Sequence, residues 1–410
     1  MTGPACRLCG AALRHTLVDL GCTPLANSFV TAEQAASGQD VAYPLHARAC
    51  EHCFLVQVDE VVPAEAIFSD YAYFSSFSSS WSAHARRYAA EMVARFGLGP
   101  DSLVAEIASN DGYLLQHFRD AGIPVLGVEP AANVAEVARG IGVRTEVAFF
   151  GTDTAPGLTE RFGKADLVAA NNVLAHVPDM LGFAGGFTQI LKPQGVATFE
   201  FPHLLNLLEQ VQFDTIYHEH YSYLSLLVVE RLLLSVGLRV FDVAQLPTHG
   251  GSLRVFACHF RAGHAQTPAV QAVRAQEREA GLDRIGTYQG FAERVGAVLD
   301  GLRGFIASKH EAGRTVAAYG AAAKGNTLLN CAGVKGGDLI CIADRNPAKQ
   351  GKLLPGSHVP VVSPEALAAA RPDEIVILPW NIAPEIAAEL RDLCTVGTRL
   401  WTVSPQLRQL

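Results

Sequence analysis

The sequence contains no apolar run long enough to cross a membrane. Its most apolar stretch, YLSLLVVERLLLSVG, is interrupted by Glu230 and Arg231, and it is shorter than the roughly 20 residues that a spanning helix needs. We therefore expect a core-facing helix there and no membrane partner. The first ten residues, MTGPACRLCG, show no basic region followed by an apolar core, so we expect no secretory signal.

An excess of positive charge is also missing. The net charge is −8 at pH 7, which gives no electrostatic reason to expect nucleic acid or an anionic membrane as a partner. An anionic small-molecule substrate would need local cations. Only 18% of the 410 residues are charged and 49% are hydrophobic, as in a globular protein with ample material for a core. The length predicts two or three domains.

A disulfide framework is not expected either. The nine cysteines are an odd number, and without an export signal they favour a reducing cytoplasm. Four of them form two Cys-x2-Cys pairs separated by forty residues, Cys6 with Cys9 and Cys50 with Cys53. Four thiolates can complete a closed, tetrahedral zinc site of the structural type, whereas unrelated free cysteines or a redox pair remain the alternative. The long separation predicts a further subdomain between the pairs.

From about residue 86, apolar strands alternate with helical patterns, which predicts a parallel sheet with helices on both faces. Ligands of such sheets bind at the carboxyl ends of the strands. Polar residues follow three of the predicted strands, in the segments EIASNDG, GVEP and NNVLAHVPD. The residues expected to contact a bound cofactor are Glu106, Ser109, Asn110, Asp111, Gly112, Glu129, Pro130, Asn171 and Asn172.

The first of these turns distinguishes between two cofactors. An acid at the position of Glu129 can accept both ribose hydroxyls of a nucleoside, and it suits NAD and S-adenosylmethionine equally. A dinucleotide site requires G-x-G-x-x-G, and here only Gly112 is a glycine. Glu106, Ser109 and Asp111 would bind the cationic amino-acid end of S-adenosylmethionine better than a phosphate. The sequence thus favours the methyl donor, and a generic doubly wound domain with polar loops is the alternative.

The last third of the chain predicts a second, smaller doubly wound domain. RTVAAYGAAAKGNTLLN is a strand, a glycine turn and a helix, and LICIADRNPAKQG and DEIVILPW contain further strands. Lys324, at the start of the predicted helix beside Asn326, would suit a phosphate group. A helix start with a solvated lysine is an equally good interpretation. Ahead of this domain, LRVFDVAQLPTHGGSLRVFACHF predicts an antiparallel hairpin that closes the first sheet.

With these features, the chain resembles the sugar C-methyltransferases that act on nucleotide-linked deoxysugars in antibiotic and polysaccharide pathways. The resemblance covers the whole chain and rests on the paired cysteines and on YAYFSSFSSSWSAHA, EIASNDGYLL, GVEPAANVA, NNVLAHVPD, FEFPHLLNLL, IYHEHYSYLS, HGGSLRV and YGAAAKGNTLLN. It implies an α/β protein with a zinc-binding domain over 1–70, a class I (Rossmann-like) methyltransferase domain over 71–260 and a second Rossmann-like, nucleotide-sugar-binding domain over 261–410. It also implies S-adenosylmethionine as donor, a thymidine diphospho-sugar as the usual acceptor, and a monomer or weak dimer.

The segment DTIYHEHYSYLS carries groups that such a reaction needs. A carbon–carbon bond requires a carbanion, and a 4-keto sugar offers one at C3 or C5 once a base removes a proton. A neutral histidine is the natural base near pH 7, and a neighbouring carboxylate would raise its basicity and fix its tautomer. The family motif implies the roles of five residues. These are His220 as the base, Tyr217 as the oxyanion donor, Glu219 as a partner that positions the sugar or the base, His176 as an auxiliary group on the opposite wall and Tyr71 as a sugar contact.

Several alternatives stay open. A tyrosine beside a histidine is often a structural pair, His218 is expected to point away from His220, and His249 is expected to be structural. An NAD-dependent nucleotide-sugar oxidoreductase would use either doubly wound domain, and a catalytically inactive, zinc-anchored binding protein would keep only the fold. Within the family, methylation at an oxygen or at a carbon other than C3 is a further possibility.

Overall fold

The N-terminal module, residues 4–68, contains a sheet whose first strands lie between the two cysteine pairs, as the spacing of these pairs predicts. β1 and β2 pair antiparallel with two register shifts, and β3 continues the sheet. The elements are β1 His15–Pro24, α1 Ala32–Ala36, β2 Ala42–Ala49, β3 Val56–Val58 and α2 Ala64–Phe68. The computed structural model describes residues 4–38, 40–68, 75–77, 79–393 and 397–410.

The central segment alternates helices and strands along the chain. Its elements are α3 Ser79–Phe96, β4 Val104–Ile107, α4 Leu115–Asp120, β5 Val125–Val128, α5 Ala132–Gly140, β6 Thr145–Glu146, α6 Ala155–Phe162, β7 Ala165–Asn171, α7 Met180–Ile190, β8 Leu191–Pro202, α8 Leu204–Glu209, β9 Ser222–Tyr223, α9 Leu226–Ser235, β10 Leu238–Leu246 and β11 Ser252–His259.

These strands form a seven-stranded sheet in the described part of the chain, in the order β10-β11-β8-β7-β4-β5-β6. The strands β4 to β8 are parallel, and β11 runs antiparallel to both of its neighbours. All residues of β4 are buried, as expected for a strand covered on both faces. The chain order reverses between β4 and β7, which leaves a crevice for a ligand at their carboxyl ends. The predicted parallel sheet with its closing hairpin is confirmed.

One strand of the N-terminal sheet comes from the central segment. β9 pairs antiparallel with β3, with Tyr223 opposite Val56 and Ser222 opposite Gln57. The sheet order is therefore β1-β2-β3-β9. Through this pairing, the N-terminal module borders the segment that carries His220.

The C-terminal segment contains the second Rossmann-like sheet. Its strands lie in the order β14-β13-β12-β15-β16-β17, and they are parallel except for β17. The elements are α10 Pro268–Glu279, α11 Phe291–Glu311, β12 Val316–Tyr319, α12 Ala323–Cys331, β13 Ile342–Ala343, β14 Val361–Val362, α13 Pro364–Ala370, β15 Glu374–Ile377, α14 Ala383–Leu393, β16 Arg399–Thr402 and β17 Arg408–Gln409.

The modules share apolar cores. Leu45 of β2, Leu302 of α11 and Val316 of β12 belong to one buried cluster that joins the N-terminal and C-terminal sheets. The two faces of the central sheet are covered separately, with Leu232 of α9 on one face and Phe118 of α4 on the other. The most apolar stretch of the sequence is thus a core helix, as predicted. Within the described ranges, none of the helices has the length and apolar character that a membrane span requires.

Candidate active site

The two cysteine pairs of the N-terminal module meet at one point. The sulfur atoms of Cys6, Cys9, Cys50 and Cys53 all lie within 4.8 Å of one another, and the Cys6–Cys53 and Cys9–Cys50 separations are 3.5 Å. A tetrahedral zinc ion with Zn–S bonds of about 2.3 Å holds its ligands about 3.8 Å apart. The hydrogen bond between Cys6 and Cys53 lowers the pKa of Cys6 to about 4 and raises the pKa of Cys53, so one of the four thiolates that a metal needs is favoured. The four residues therefore fit a closed zinc site.

Contacts outside this cluster extend to the central segment. Gln57 Nε2 donates to Cys6 Sγ at 3.2 Å, and Gln57 Oε1 accepts from the Arg7 backbone N–H at 3.0 Å. The Arg7 guanidinium donates to the Pro178 carbonyl at 3.4 Å and lies 5.3 Å from the centroid of the Tyr221 ring. The cysteine cluster is thereby linked to both segments that carry the predicted catalytic histidines.

The turn after β4 has an unusual backbone. Ala108 and Asn110 have φ values of 54° and 49°, and Gly112 has a φ of 80°. A Cβ at Gly112 would lie 3.2 Å from a methyl group of Val143, so both the φ value and the available space favour glycine. Non-glycine residues in the left-handed region persist only where the surrounding structure enforces them, commonly at ligand sites.

Several buried polar atoms near this turn have no hydrogen-bond partner among the described residues. Such atoms are costly in a folded protein unless a ligand or water satisfies them. They lie at the ends of β4 and β7 and in the turns that follow these strands, the edge at which a doubly wound sheet binds its ligand. The atoms are Glu106 Oε2, Ser109 Oγ, Asp111 Oδ1, Asn171 Oδ1, and Oδ1 and Nδ2 of Asn172.

The Glu129 carboxylate is held in a fixed orientation at the end of β5. Its Oε2 accepts from the Asn110 N–H at 2.9 Å, and its Oε1 accepts from the Ala131 N–H at 3.0 Å. Each carboxylate oxygen keeps a further lone pair, so both can still accept a ribose hydroxyl. Pro130, between Glu129 and Ala131, is half-buried at the same edge.

This edge also concentrates acidic groups. Burial raises the pKa of Glu106 well above its usual range, and although a hydrogen bond from Tyr113 opposes the rise, Asp111 adds to it. Burial likewise raises the pKa of Glu129. A cationic ligand would relieve the repulsion between these carboxylates, whereas a phosphate would add to it. The residues present therefore fit the sulfonium and ammonium groups of S-adenosylmethionine.

A short segment before α3 contacts the same turn. The Ser75 N–H donates to Asn110 Oδ1 at 2.9 Å, and the Ser76 N–H donates to Asp111 Oδ2 at 3.0 Å. Asn110 and Asp111, which we predicted as cofactor ligands, thus also anchor the connection between the N-terminal module and α3. Tyr71, predicted to contact the sugar, lies outside the described residues.

The tautomer of His220 is fixed by its hydrogen bonds. Its Nδ1 lies 2.9 Å from the Thr215 carbonyl oxygen, and because a carbonyl only accepts, Nδ1 carries the proton. Its Nε2 therefore accepts from the Tyr217 hydroxyl, which lies 2.9 Å away. Burial lowers the pKa of His220 well below its usual range, and His176 adds to this effect, so the ring is neutral at pH 7. A backbone carbonyl, and not the carboxylate that the sequence suggested, fixes the tautomer.

His176 and Glu219 adjoin this histidine. The His176 ring is edge-on to the His220 ring with a centroid separation of 4.6 Å, and His176 Nδ1 donates to the Glu219 carbonyl oxygen at 2.8 Å. Burial lowers the pKa of His176 to about 4, so this ring is neutral as well. The Glu219 side chain extends to the N-terminal module, where its Oε1 accepts from Asn27 Nδ2 at 2.6 Å.

Two other members of the segment anchor it to the N-terminal module. His218 Nε2 lies 3.3 Å from the Tyr43 carbonyl oxygen and 3.2 Å from the Pro44 carbonyl oxygen. The Tyr221 hydroxyl donates to the Val62 carbonyl at 3.3 Å. His218 therefore makes backbone hydrogen bonds away from the base, as we expected from the sequence.

Lys324 faces the same region from the C-terminal segment. Its Nζ donates to Asn381 Oδ1 at 3.2 Å and lies 4.6 Å from the centroid of the Trp380 ring, a cation–π geometry. Burial lowers the pKa of Lys324, while Asp214 opposes this effect. The positive charge of Lys324 also contributes to the lowered pKa of His220, so the structure brings the predicted phosphate ligand and the predicted base into one region.

Asn326 is placed differently from Lys324. It is 1% exposed, and its Oδ1 accepts from Asn330 Nδ2 at 3.1 Å, one turn further along α12. Its side chain is thus used within the packing of the helix.

An aromatic cluster that the sequence did not suggest connects Tyr113, just beyond the turn after β4, to the region around Lys324. Trp81 stacks on His84 with a centroid separation of 4.9 Å, and it lies 6.2 Å from the Tyr113 ring and 5.1 Å from the His249 ring. His249 has a φ of 55°, and burial lowers its pKa to about 4. The sequence offered one signal for this site, namely the two glycines after His249, which permit a tight turn there.

Comparisons with known proteins agree with this architecture. Three family models match the chain in order: "Putative zinc binding domain" over residues 6–68, "Methyltransferase domain" over 81–243 and "C-methyltransferase C-terminal domain" over 247–405. The chain is 39% identical to the C-methyltransferase NovU of Streptomyces niveus over 407 residues, which is 98% of this chain and 96% of that relative.

Similar solved structures include an S-adenosylmethionine-dependent methyltransferase of Clostridium acetobutylicum, with 12% identity over 43% of this chain and 92% of that chain and a TM-score of 0.36. Magnesium protoporphyrin IX methyltransferase of Synechocystis is similar at 15% identity over 43% of this chain and 79% of that chain, with a TM-score of 0.34.

The sheet topology, the acidic strand ends and the matched central model define an S-adenosylmethionine-dependent methyltransferase. The chain belongs to the C-methyltransferase family in which a zinc-binding domain precedes the methyltransferase domain and a C-terminal domain follows it. The family and the fold class predicted from the sequence are both confirmed.

Proposed function

We propose that this protein transfers a methyl group from S-adenosylmethionine to C3 of a thymidine diphospho-4-keto-6-deoxyhexose in deoxysugar biosynthesis, through an enolate that His220 generates. The observation that carries the proposal is the hydrogen-bond pattern of His220, whose Nδ1 donates to the Thr215 carbonyl while Nε2 accepts from the Tyr217 hydroxyl. A neutral imidazole fixed in this way has its basic lone pair at Nε2, beside a hydroxyl donor.

In this mechanism His220 Nε2 takes the proton from C3, and the electrons of the C–H bond move toward the 4-keto oxygen. The Tyr217 hydroxyl leaves Nε2 and donates to that oxygen as negative charge develops on it. The nearby positive charge of Lys324 would stabilise the enolate. It also contributes to the lowered pKa of His220, which keeps the ring neutral before the reaction. His176, in contact with the His220 ring, serves as the auxiliary group.

The donor pocket brings the second reactant to the enolate. When bound, S-adenosylmethionine supplies an electrophilic methyl group on a sulfonium. Glu106, Ser109 and Asp111 would hold its cationic end, Glu129 would accept its ribose hydroxyls, and the turn at Gly112 would permit close approach of the backbone. Pro130, Asn171 and Asn172 would complete the pocket. Because the methyl donor is already cationic, alignment of its methyl group with the enolate carbon in a site shielded from water supplies most of the remaining rate acceleration.

The outer modules complete the proposal. A zinc ion bound by the four cysteines would stabilise the N-terminal module in a structural role, because a closed S4 site leaves no coordination position for substrate. The C-terminal module, residues 261–410, would hold the nucleotide part of the substrate, with Lys324 near the diphosphate. Lys324 supports this role because it is a cation in a region that also contains the proposed base.

One contact disfavours the oxidoreductase alternative for the C-terminal module. Asp344 follows β13, the strand end at which a dinucleotide-binding fold uses an acid to bind ribose. Its Oδ2 instead pairs with Lys349 Nζ at 3.1 Å, and its Oδ1 accepts from the Asn346 N–H at 2.9 Å. Lys349 Nζ also donates to the Ala321 carbonyl at 2.8 Å, so this lysine links Asp344 to the turn after β12, and a dinucleotide-binding fold places its ribose between these two positions.

Mass spectrometry and NMR of the reaction product test the proposed function. With S-adenosylmethionine and a thymidine diphospho-4-keto-6-deoxyhexose, we expect a product heavier by one methyl group, with the new carbon attached at C3. The corresponding 4-hydroxy sugar is the matched control, and we expect it to stay unmethylated because it has no acidic proton at C3. Methylation of the control at an oxygen would contradict the enolate route. No methylation of any keto sugar would overturn the substrate class.

A further inference from the structure

A loop of the N-terminal module, residues 25–30, bridges to the C-terminal segment. The Val30 N–H donates to the Leu353 carbonyl at 3.1 Å, and the Leu353 N–H donates to the Val30 carbonyl at 2.8 Å. At the other end of the loop, Pro24 packs so close to Gly356 that a Cβ at Gly356 would lie 2.9 Å from it. Both ends of the loop are therefore fixed against the C-terminal segment.

Within this loop, one side chain reaches the central segment. Asn27 Nδ2 donates to Glu219 Oε1 at 2.6 Å. Asn27 is exposed, whereas Glu219 is 3% exposed. The amide thus contacts a buried carboxylate at the boundary between the two modules.

Glu219 in turn connects to both candidate catalytic histidines. Its carbonyl oxygen accepts from His176 Nδ1 at 2.8 Å, and the next residue is His220. The two rings are in edge-to-face contact. A shift of Glu219 would therefore change the position of both imidazoles together.

We propose that Asn27 is a positioning residue for methyl transfer. Through its amide, the zinc-bearing module holds Glu219 and so fixes the relative placement of His176 and His220. The inference rests on the proposed function of His220 as the base. It gives the N-terminal module a part in the reaction geometry in addition to its effect on folding.

The first test is spectroscopic and needs no turnover. NMR of protein labelled with ¹⁵N in its histidine rings compares Asn27→Ala with Ser28→Ala, a matched control with an exposed side chain in the same loop. We expect the ring-nitrogen signals of His176 and His220 to shift in Asn27→Ala and to stay at their wild-type positions in Ser28→Ala. Zinc content should be unchanged in both variants, and the melting temperature should be unchanged in Ser28→Ala and slightly lower in Asn27→Ala, because the buried Glu219 carboxylate loses one hydrogen bond. Wild-type histidine signals in Asn27→Ala would overturn the inference.

The second test is kinetic and separates positioning from direct substrate contact. With the keto sugar, we expect kcat of Asn27→Ala to fall by about tenfold or more, since small displacements of a catalytic group are costly. KM for S-adenosylmethionine should not change. In a Glu219→Ala background, the same substitution should change kcat by less than about twofold, because the partner is gone. An equal further loss in that background would show that Asn27 acts on the substrate directly and would contradict the positioning role.

The two tests fail in different ways. If the wild type methylates the keto sugar and Asn27→Ala matches it, the inference is wrong and the proposed function stands. If the wild type methylates no keto sugar, the proposed function is wrong, and the histidine signals still decide whether Asn27 positions the two rings.

Discussion

Trp380 Nε1 donates a 2.7 Å hydrogen bond to Asp214 Oδ2, which joins the C-terminal segment to the residues just before the candidate base. Asp214 is 2% exposed. Burial raises the pKa of Asp214 to about 6, and the charge of Lys324 and the Trp380 hydrogen bond limit this rise. The contact between the two modules therefore depends on a carboxyl group that titrates near neutral pH.

We predict that Asp214 makes the folded protein less stable as the pH rises from 4 to 7. A carboxyl group whose pKa is higher in the folded than in the unfolded state stabilises the protein at low pH, and this contribution is lost as the pH passes the folded-state pKa. The difference between about 6 and the ordinary value of 3.8 corresponds to on the order of 3 kcal/mol. Asp214→Asn should remove this dependence, so its free energy of unfolding relative to wild type should increase from pH 4 to pH 7.

Urea unfolding at a series of pH values checks this prediction. Trp380→Phe is the matched variant, because it keeps the aromatic ring under Lys324 and removes only the indole N–H. Without that donor the pKa of Asp214 should rise further, so the decline in stability should extend to higher pH than in wild type. A pH-independent difference between Asp214→Asn and wild type would contradict the account.

Glu106→Gln should have opposite effects on donor binding and on the stability of the ligand-free protein. Since burial raises the pKa of Glu106, ionisation of this group destabilises the free protein as the pH rises through that pKa. We expect the variant to melt at a higher temperature than wild type at pH 8 without ligand. We also expect its Kd for S-adenosylmethionine to increase by about tenfold or more, equivalent to about 1.4 kcal/mol.

Differential scanning calorimetry and titration calorimetry measure these two quantities. Glu279→Gln, at an exposed position of α10, is the control and should change neither. A variant at Glu106 with lower thermal stability and an unchanged Kd would show that the carboxylate has a structural role instead.

Lys324→Met should weaken binding of the nucleotide part of the substrate and leave donor binding intact. Methionine keeps the apolar part of the side chain against Trp380 and removes the charge. We expect the Kd for thymidine diphosphate to rise by about tenfold or more, while the Kd for S-adenosylmethionine stays at the wild-type value. Lys164→Ala, an exposed lysine of the central segment, is the control for a general loss of charge. Unchanged binding of thymidine diphosphate to Lys324→Met would contradict the proposed phosphate contact.

Zinc removal should unfold the N-terminal module. A structural zinc ion contributes its binding free energy to folding, so elemental analysis should find about one zinc ion per wild-type chain and much less in Cys50→Ser. The melting temperature should fall in that variant and in wild type treated with a chelator. Cys22→Ser, at an exposed cysteine outside the cluster, should retain zinc and wild-type melting. A wild-type protein that contains no zinc and whose melting temperature does not change with the chelator would contradict this prediction.

The central sheet could be predicted from the sequence because each of its strands is specified by the residues of its own segment. Continuous apolar runs specify buried parallel strands such as β4 and β7, and the glycines after His249 specify the closing hairpin. β9 has only two residues, and it is a strand because it meets β3, which lies far away in the sequence. No propensity of Ser222 and Tyr223 reports that pairing.

The candidate site likewise combines features that a local segment specifies with features that depend on distant residues. Glu106 lies near the end of β4 and Glu129 directly follows β5, so their place at the ligand-binding edge could be predicted from strand positions alone. The tautomer of His220 depends on the Thr215 carbonyl, and the environment of Glu219 depends on Asn27, which is almost two hundred residues away. Contacts of this kind become visible only when the modules are packed together, and they determine which nitrogen can act as a base.

Hydrogen exchange at C3 of a thymidine diphospho-4-keto-6-deoxyhexose in deuterated water, followed by NMR, shows whether His220 forms the enolate. S-adenosylhomocysteine replaces the donor, so that proton removal is observed without methyl transfer. We expect exchange at C3 by wild type and an exchange rate lower by about 100-fold or more in His220→Ala. His218→Gln, which keeps a donor for the Tyr43 and Pro44 carbonyls, should exchange at close to the wild-type rate. Exchange at the wild-type rate in His220→Ala would place the base elsewhere and contradict the account.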